Sequence, residues 1–191
     1  MNNYQILSRF YDLEYNEKVD DIPFYINLAK QTGSPVLECG CGTGRILIPI
    51  ASAGIQIVGI DLSEEMLNIA MTKIQRKKVQ SRVQLIKNDM TRIRSKLVRT
   101  KRFSLIIITF NSFLCLVPDD IENKQGITPK DLQERAIKNL HDILKDEGII
   151  AIDVFNPDFR NFPSRAVRHN FTKKDQNTGK AISFFSALFT S

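Results

Sequence analysis

The run Val36-Leu37-Glu38-Cys39-Gly40-Cys41-Gly42-Thr43-Gly44-Arg45 commits the chain to a sharp turn between a strand and a helix. An apolar, strand-like stretch, Ser34-Pro35-Val36-Leu37, leads into the acidic Glu38, and an apolar, helix-like stretch from Ile46 to Ala53 follows the glycines. Glycines at such a turn allow positive φ and leave no Cβ to hold a ligand away from the backbone. The helix N-terminus behind them favours anionic or polar ligand groups. The spacing also excludes two readings. A dinucleotide fingerprint needs a small residue where Arg45 stands, and no G-x-x-x-x-G-K-[ST] phosphate loop can be drawn here.

The rest of the chain alternates helix-like and strand-like segments. Residues 20–31 read as a helix, with Asp21 as cap, Pro23 in the first turn and Tyr25, Leu28 and Ala29 as an apolar stripe. Strands are predicted over 35–39, 55–60, 83–87, 103–109 and 149–155. Pro49 should kink or delay the helix after the glycine turn. Ser63 caps a helix that carries Met66, Leu67, Ala70 and Ile74 on one face. Residues 90–102 read as a short helix plus loop, and 117–127 as a polar loop. A helix opened by Thr128 and Pro129 runs to about Asp146, with Leu132, Ala136, Ile137, Leu140 and Leu144 on one face and Gly148 as its stop. Leu105-Ile106-Ile107-Ile108 is the continuous apolar run of a strand buried on both faces. This order predicts a doubly wound α/β fold, a mostly parallel sheet with helices on both faces.

Composition narrows the class. The 191 residues are 42% hydrophobic and 25% charged, ordinary for one globular domain. No apolar run is long enough to span a membrane, and the start lacks a signal-peptide pattern. Cys39, Cys41 and Cys115 with two histidines argue against a zinc site and for a reducing, cytoplasmic setting. The net charge of +6 gathers at Lys73, Arg76, Lys77, Lys78 and Arg82, and at Arg92, Arg94, Lys96, Arg99, Lys101 and Arg102. Such clusters fit either a solvated helix end and loop or a nucleic-acid surface; no nucleic-acid motif accompanies them.

Ligands on parallel sheets bind beyond the strands' C-terminal ends, and polar residues fall there. Asp61 ends the second strand, 21 residues beyond Gly40 (61 − 40). It can accept from both hydroxyls of a ribose or simply cap the helix at Ser63. Asn88-Asp89-Met90 ends the third strand; it can pair with an exocyclic amine or form a turn. Thr109-Phe110-Asn111-Ser112 ends the fourth.

This ordered set resembles class I S-adenosylmethionine-dependent methyltransferases of the small-molecule type. The resemblance covers about residues 8–157. It implies S-adenosylmethionine as cofactor, with Glu38 as the acidic residue of motif I and Gly40, Gly42 and Gly44 lining the methionine moiety. Cys41, Thr43 and Arg45 belong to the same turn. Asp61, with Leu62 and Met66, would hold the ribose side, and Asp89 and Met90 the adenine. Thr109, Phe110 and Asn111 would lie below the sulfonium. Tyr11 and Tyr15 would help close the pocket from the N-terminal segment. The Asn-Pro-Pro-aromatic motif of amide and nucleic-acid N-methyltransferases is absent, and Asn111-Ser112-Phe113 resembles enzymes acting on small metabolites. The resemblance therefore implies a small-molecule acceptor. No catalytic base is assigned.

The C-terminal part departs from the family. Residues 1–157 form the expected core. Within 158–191, Ala166–Thr172 and Ala181–Phe189 can form an antiparallel hairpin, which some family members carry as a substrate lid, while the family's further helix and last two strands are missing. That leaves three readings open: a truncated chain, an edge covered by a partner subunit in a homodimer, or a hairpin that replaces the last two strands. A silent cofactor-binding module and an RNA methyltransferase remain the alternative functions.

Overall fold

The computed structural model describes residues 3–15, 17–93, 98, 100, 102–154, 168–174 and 181–187. Two helices come first, α1 (Asn3–Tyr15) and α2 (Ile22–Thr32). There follow β1 (Val36–Cys39), α3 (Leu47–Ser52), β2 (Ile57–Asp61), α4 (Glu64–Lys77), β3 (Val83–Lys87) and β4 (Phe103–Ile108). Then come α5 (Asp120–Lys124), α6 (Pro129–His141) and β5 (Leu144–Ile152). β6 (Arg168–Lys174) and β7 (Ala181–Ala187) form a separate antiparallel pair, in register from Arg168 opposite Ala187 to Lys174 opposite Ala181. Among the described residues no helix is long and apolar enough to cross a membrane.

The five-stranded sheet has the order β3-β2-β1-β4-β5, all parallel. The chain winds outward from β1 to β3, then crosses back to lay β4 on the other side of β1. Strand order reverses between β1 and β4, and that is where open parallel sheets bind ligands. The register sets Glu38 beside Gly59 and Ile107, and Cys39 beside Ile60 and Ile108. The glycine turn therefore leaves the sheet level with Asp61 on one flank and Thr109 on the other.

Helices on both faces bury the central strands. All six residues of β4 and all four of β1 are buried, as the apolar run Leu105–Ile108 predicts. One face packs Leu47, Ile50, Leu67, Ala70 and Ile74 with Ile57 and Leu105. The other packs Leu132, Ala136 and Leu140 with Leu37, Ile106 and Ile108. Each large aliphatic side chain so buried contributes about 2 kcal/mol.

Local rules account for most element boundaries. Pro49 does delay its helix: α3 starts at Leu47, so the proline occupies the first turn, where no intrahelical N–H is needed. Ser63 caps α4 by accepting from the Met66 N–H at 3.2 Å, and Met66, Leu67, Ala70 and Ile74 are its buried face.

Four expectations need correction. Asp21 stands at the N-cap of α2 but makes no side-chain cap bond; its carboxylate is drawn to Arg45 instead. The segment 117–127 is not all loop, because Asp119 and Glu122 form a reciprocal capping box that starts α5. α6 ends at His141 rather than near Asp146, and Leu144 opens β5 opposite Phe103. The Ile143 carbonyl accepts from the Phe103 N–H at 2.9 Å, which ties this stretch to the sheet edge. Gly148 is then a close-approach residue within the strand, since a Cβ there would meet the Leu144 side chain at 2.7 Å. Within 90–102, Val98 and Thr100 are helical as expected, while 94–97, 99 and 101 lie outside the described residues, as do Phe155, Phe189 and the hairpin loop 175–180.

Candidate functional site

The floor of the site is backbone. The N–H groups of Gly40 and Cys41 both donate to the Ile60 carbonyl, at 2.8 and 3.1 Å, and Gly44 N–H donates to the Cys41 carbonyl at 2.9 Å. Gly40, Gly42 and Gly44 have φ of 71°, 52° and 86°, a region that only glycine enters without cost. The space around each differs. A Cβ on Gly40 would meet the Ser112 Oγ at 2.8 Å, and one on Gly44 the Ile48 side chain at 3.0 Å, whereas one on Gly42 would meet nothing within 4 Å. Gly42 thus faces open space at the switch point.

Asp61 braces that turn. Its Oδ2 accepts from the Gly42 N–H at 2.8 Å and its Oδ1 from the Ser63 N–H at 2.9 Å. Each oxygen keeps a lone pair for a further donor. Leu62 beside it is exposed, and Met66 is buried on the facing side of α4.

Glu38 lies beneath the turn, 1% exposed. Its Oε1 accepts from the Thr109 hydroxyl at 3.3 Å, while its Oε2 has no hydrogen-bond partner among the described residues. Burial pushes this carboxyl up to about 8, against the opposing pull of Arg45 and the Thr109 hydroxyl. Near neutral pH the carboxyl so keeps its proton, and its open oxygen can donate as well as accept beside the glycine cradle.

The end of β4 forms one wall. Phe110 and Asn111 have φ of 54° and 63°. Asparagine tolerates this left-handed region, but for phenylalanine it costs about 1–3 kcal/mol. The backbone of Asp153 and its side chain hold the pair there: Phe110 N–H donates to Asp153 Oδ2 at 3.3 Å and Asn111 N–H to the Asp153 carbonyl at 3.2 Å. The turn brings Ser112 against Gly40.

A roof crosses from the N-terminal helices. Burial pushes the Tyr11 phenol up to about 12, and the charges acting on it are those of Arg45, Glu38, Asp12 and Asp61. Tyr11 is therefore within electrostatic reach of both strand-end carboxylates, and its ring lies 4.9 Å from that of Tyr15. The Tyr15 ring meets the Phe110 ring edge-on with centroids 4.7 Å apart, and Lys18 and Arg45 approach the same Phe110 ring at 5.0 and 5.2 Å. Arg45 makes a two-pronged pair with Asp21, at 2.6 and 2.8 Å, and donates to the Lys18 carbonyl at 3.0 Å. The Asp21 carboxyl is accordingly held below its ordinary value, first by its hydrogen bonds from Arg45. Thr43 is fully buried and donates to Asp12 Oδ1 at 2.7 Å.

The β3 end closes the far side. Asp89 Oδ1 accepts from the N–H and hydroxyl of Thr91, both at 2.7 Å, so Asp89 closes a turn there as its sequence context allows. Met90 is buried and its methyl lies near Gly40. Arg92 then pairs with Glu122, which also accepts from Arg135 at 2.8 Å.

The structure thus joins Tyr11, Glu38, the turn Gly40–Arg45, Asp61 and Thr109–Asn111 around one space. Arg45 lies in the roof contacts rather than free at the turn, and Asp89 is turned into its own loop. Sequence reasoning missed Asp12, Lys18, Lys73 and Asp153. Asp153 had a signal, being the acidic residue just past a strand end; the others had none beyond their charge. An open groove lies elsewhere, on the outer face of α6 around Phe113, Gln133, Ile137 and His141. It holds none of the strand-end carboxylates, so the chemistry points to the glycine turn instead.

Comparison with known proteins follows the same line. A family model described as "Methyltransferase domain" matches residues 36–148. YqeM of Bacillus subtilis (strain 168), a protein assigned by name to the methyltransferases, is 30% identical over 145 residues, which are 73% of this chain and 52% of that protein. The chain spans about half the length of the curated relatives it matches. An S-adenosylmethionine-dependent methyltransferase from Clostridium acetobutylicum ATCC 824 shares the fold with a TM-score of 0.67 at 17% identity, over 97% of this chain and 81% of that one. The CcbJ methyltransferase of Streptomyces caelestis does so with a TM-score of 0.65 at 19% identity, over 90% of this chain and 78% of that one.

Proposed function

The chain belongs to the methyltransferase-domain family, and on that premise we propose that it moves a methyl group from S-adenosylmethionine to a small-molecule acceptor. The observation that carries the reading is Gly42: a positive-φ glycine facing open space, braced by Asp61 at the switch point of a parallel sheet. The residues present fit an adenosyl cofactor. Asp61 retains acceptor capacity for ribose hydroxyls, and the Glu38 carboxyl below the glycines, which keeps its proton near neutral pH, leaves Oε2 without a partner among the described residues. In this reading Gly40, Cys41, Gly42, Thr43 and Gly44 frame the amino-acid end. Leu62 and Met66 flank the adenosine, Asp89 and Met90 border the base, and Thr109, Phe110 and Asn111 border the reacting end.

When bound, the cofactor supplies an electrophilic methyl group on a sulfonium. The chain's own work is to bind, align and keep water out. Holding nucleophile and methyl in line for an S_N2 displacement converts a bimolecular step into an effectively unimolecular one, worth several powers of ten in rate. Phe110, pinned in a costly conformation by Asp153, provides a rigid apolar wall for that alignment, and the Tyr11–Tyr15 roof covers it. The segment Asn111-Ser112-Phe113 in place of Asn-Pro-Pro-aromatic supports a small acceptor. Residues 1–157 serve as cofactor-binding core and the β6–β7 pair within 158–191 as a substrate lid in this account. A reducing, cytoplasmic setting suits the three free cysteines.

Isothermal titration with S-adenosylhomocysteine tests the reading. Binding to the folded chain supports it. A folded chain that takes up none refutes it.

A further inference from the structure

We propose that Lys73 is a positioning residue that latches α1 over the strand ends, so that breaking the latch speeds both entry and departure of the adenosyl ligand. The proposal rests on the cofactor reading above. Its basis is a closed ring of three side chains from three elements. Lys73 Nζ, on α4, donates to Asp12 Oδ1 at 2.7 Å and to Thr43 Oγ1 at 3.1 Å. Thr43, in the glycine turn, donates to the same Asp12 oxygen at 2.7 Å. Asp12 belongs to α1, 61 residues away from Lys73.

An ordinary surface lysine on a helix keeps its ammonium in water. The Lys73 side chain is only 27% exposed and Asp12 only 26%, so this pair is partly shielded from screening. Its two fixed ends are rigid: Thr43 is fully buried, and α4 packs under the turn, where a Cβ on Gly44 would stand 3.6 Å from Ala70. The movable end is α1. Tyr11 adjoins Asp12 in α1, and its ring lies 4.9 Å from that of Tyr15, which meets the Phe110 ring at 4.7 Å. Releasing Asp12 leaves these ring contacts to hold α1 over the strand ends, so α1 lifts more often.

The latch joins protein groups only, and in this proposal it holds alike in the free and the bound chain. A contact equally present with and without ligand leaves affinity unchanged and sets only how often the roof opens. That separates a latch from a ligand-binding residue, whose loss raises Kd.

The test is surface plasmon resonance on the immobilised chain with S-adenosylhomocysteine as analyte, for wild type, Lys73→Ala, Lys73→Arg and the charge-swapped pair Asp12→Lys with Lys73→Asp. Lys73→Ala should raise association and dissociation rates together by about fivefold, the worth of a partly shielded ion pair, with Kd held within about twofold. Lys73→Arg and the swapped pair should bring both rates back toward wild type. Amide exchange over residues 8–15 of the ligand-free chain should quicken in Lys73→Ala alone. Unchanged rates in Lys73→Ala overturn the latch, and so does a rise in Kd carried by dissociation alone. A wild-type chain that binds nothing overturns the cofactor reading itself, and shows it before any substitution is made.

Discussion

The floor and the roof of the site are held by different physics. The floor, Gly40 to Gly44, is fixed by backbone bonds to Ile60 and by Asp61, and glycine conformations allow it. The roof, α1 and the start of α2, is fixed by side-chain charge: Asp12 with Lys73 and Thr43, Asp21 with Arg45. Backbone bonds inside a buried sheet have no alternative partner and open rarely. Ion pairs at a partly wet boundary are exchanged for water at little cost. The difference gives the site a rigid cradle under a cover that can lift.

The sharpest way to break the contrast is to damage the floor. Gly40→Ala places a Cβ 2.8 Å from Ser112 Oγ in a residue with φ of 71°. It should cost about 3 kcal/mol of stability and abolish ligand binding, read by denaturant unfolding and calorimetry. No comparable damage should follow from any single roof substitution.

Glu38 tests the floor's electrostatics. Its carboxyl is raised in the folded chain to about 8 by burial, so the folded state binds the proton more tightly than the unfolded one. The stabilising contribution is full below the ordinary carboxylate range and is lost as pH rises through about 8. Wild-type stability should therefore fall between pH 5 and pH 9, on the order of a few kcal/mol. Glu38→Gln should lack this fall, which paired urea titrations at the two pH values would show.

Two glycines sharpen the contrast within the floor. Gly42 and Gly54 both have positive φ, 52° and 94°, and both face space empty to 4 Å. Alanine at either should cost about 1 kcal/mol of stability. Only Gly42→Ala should also weaken S-adenosylhomocysteine binding, because only Gly42 borders Asp61. Equal affinities for the two variants would contradict the placement of the ligand.

Arg45→Lys is the mildest test and belongs to the roof. It loses the two-pronged bond to Asp21 and the broad face toward Phe110. A loss of about 1 kcal/mol is expected, measured by thermal unfolding, with the fold intact.

The same division explains what the sequence disclosed. The floor was legible because its determinants are adjacent: strand, acid, three glycines and helix occupy one short run. So was α4, whose cap at Ser63 and buried Met66, Leu67, Ala70 and Ile74 follow one local period. The roof's tyrosines were expected from the resemblance, but its charge pairs were not legible. Asp12 reaches Thr43 across 31 residues and Arg45 reaches Asp21 across 24, and no periodicity announces such pairs. Asp21 read as a helix cap because capping is the local use of an aspartate, and the distant arginine outcompetes it. The α5 capping box was there to be read in Asp119 and Glu122, but its surroundings are polar enough to pass for loop. The end of α6 misled because Leu144 continues the helical period while Phe103 claims it for the sheet.

The central claim is that the glycine turn and Asp61 together hold an adenosyl ligand. Calorimetric titration of S-adenosylhomocysteine into wild type and Asp61→Asn tests it most directly. The account predicts binding by the wild type and an affinity at least about tenfold weaker in Asp61→Asn, with the chain still folded and its unfolding temperature lowered by the one turn bond that asparagine cannot accept. Equal affinity in the two chains, or none in a folded wild type, would contradict it.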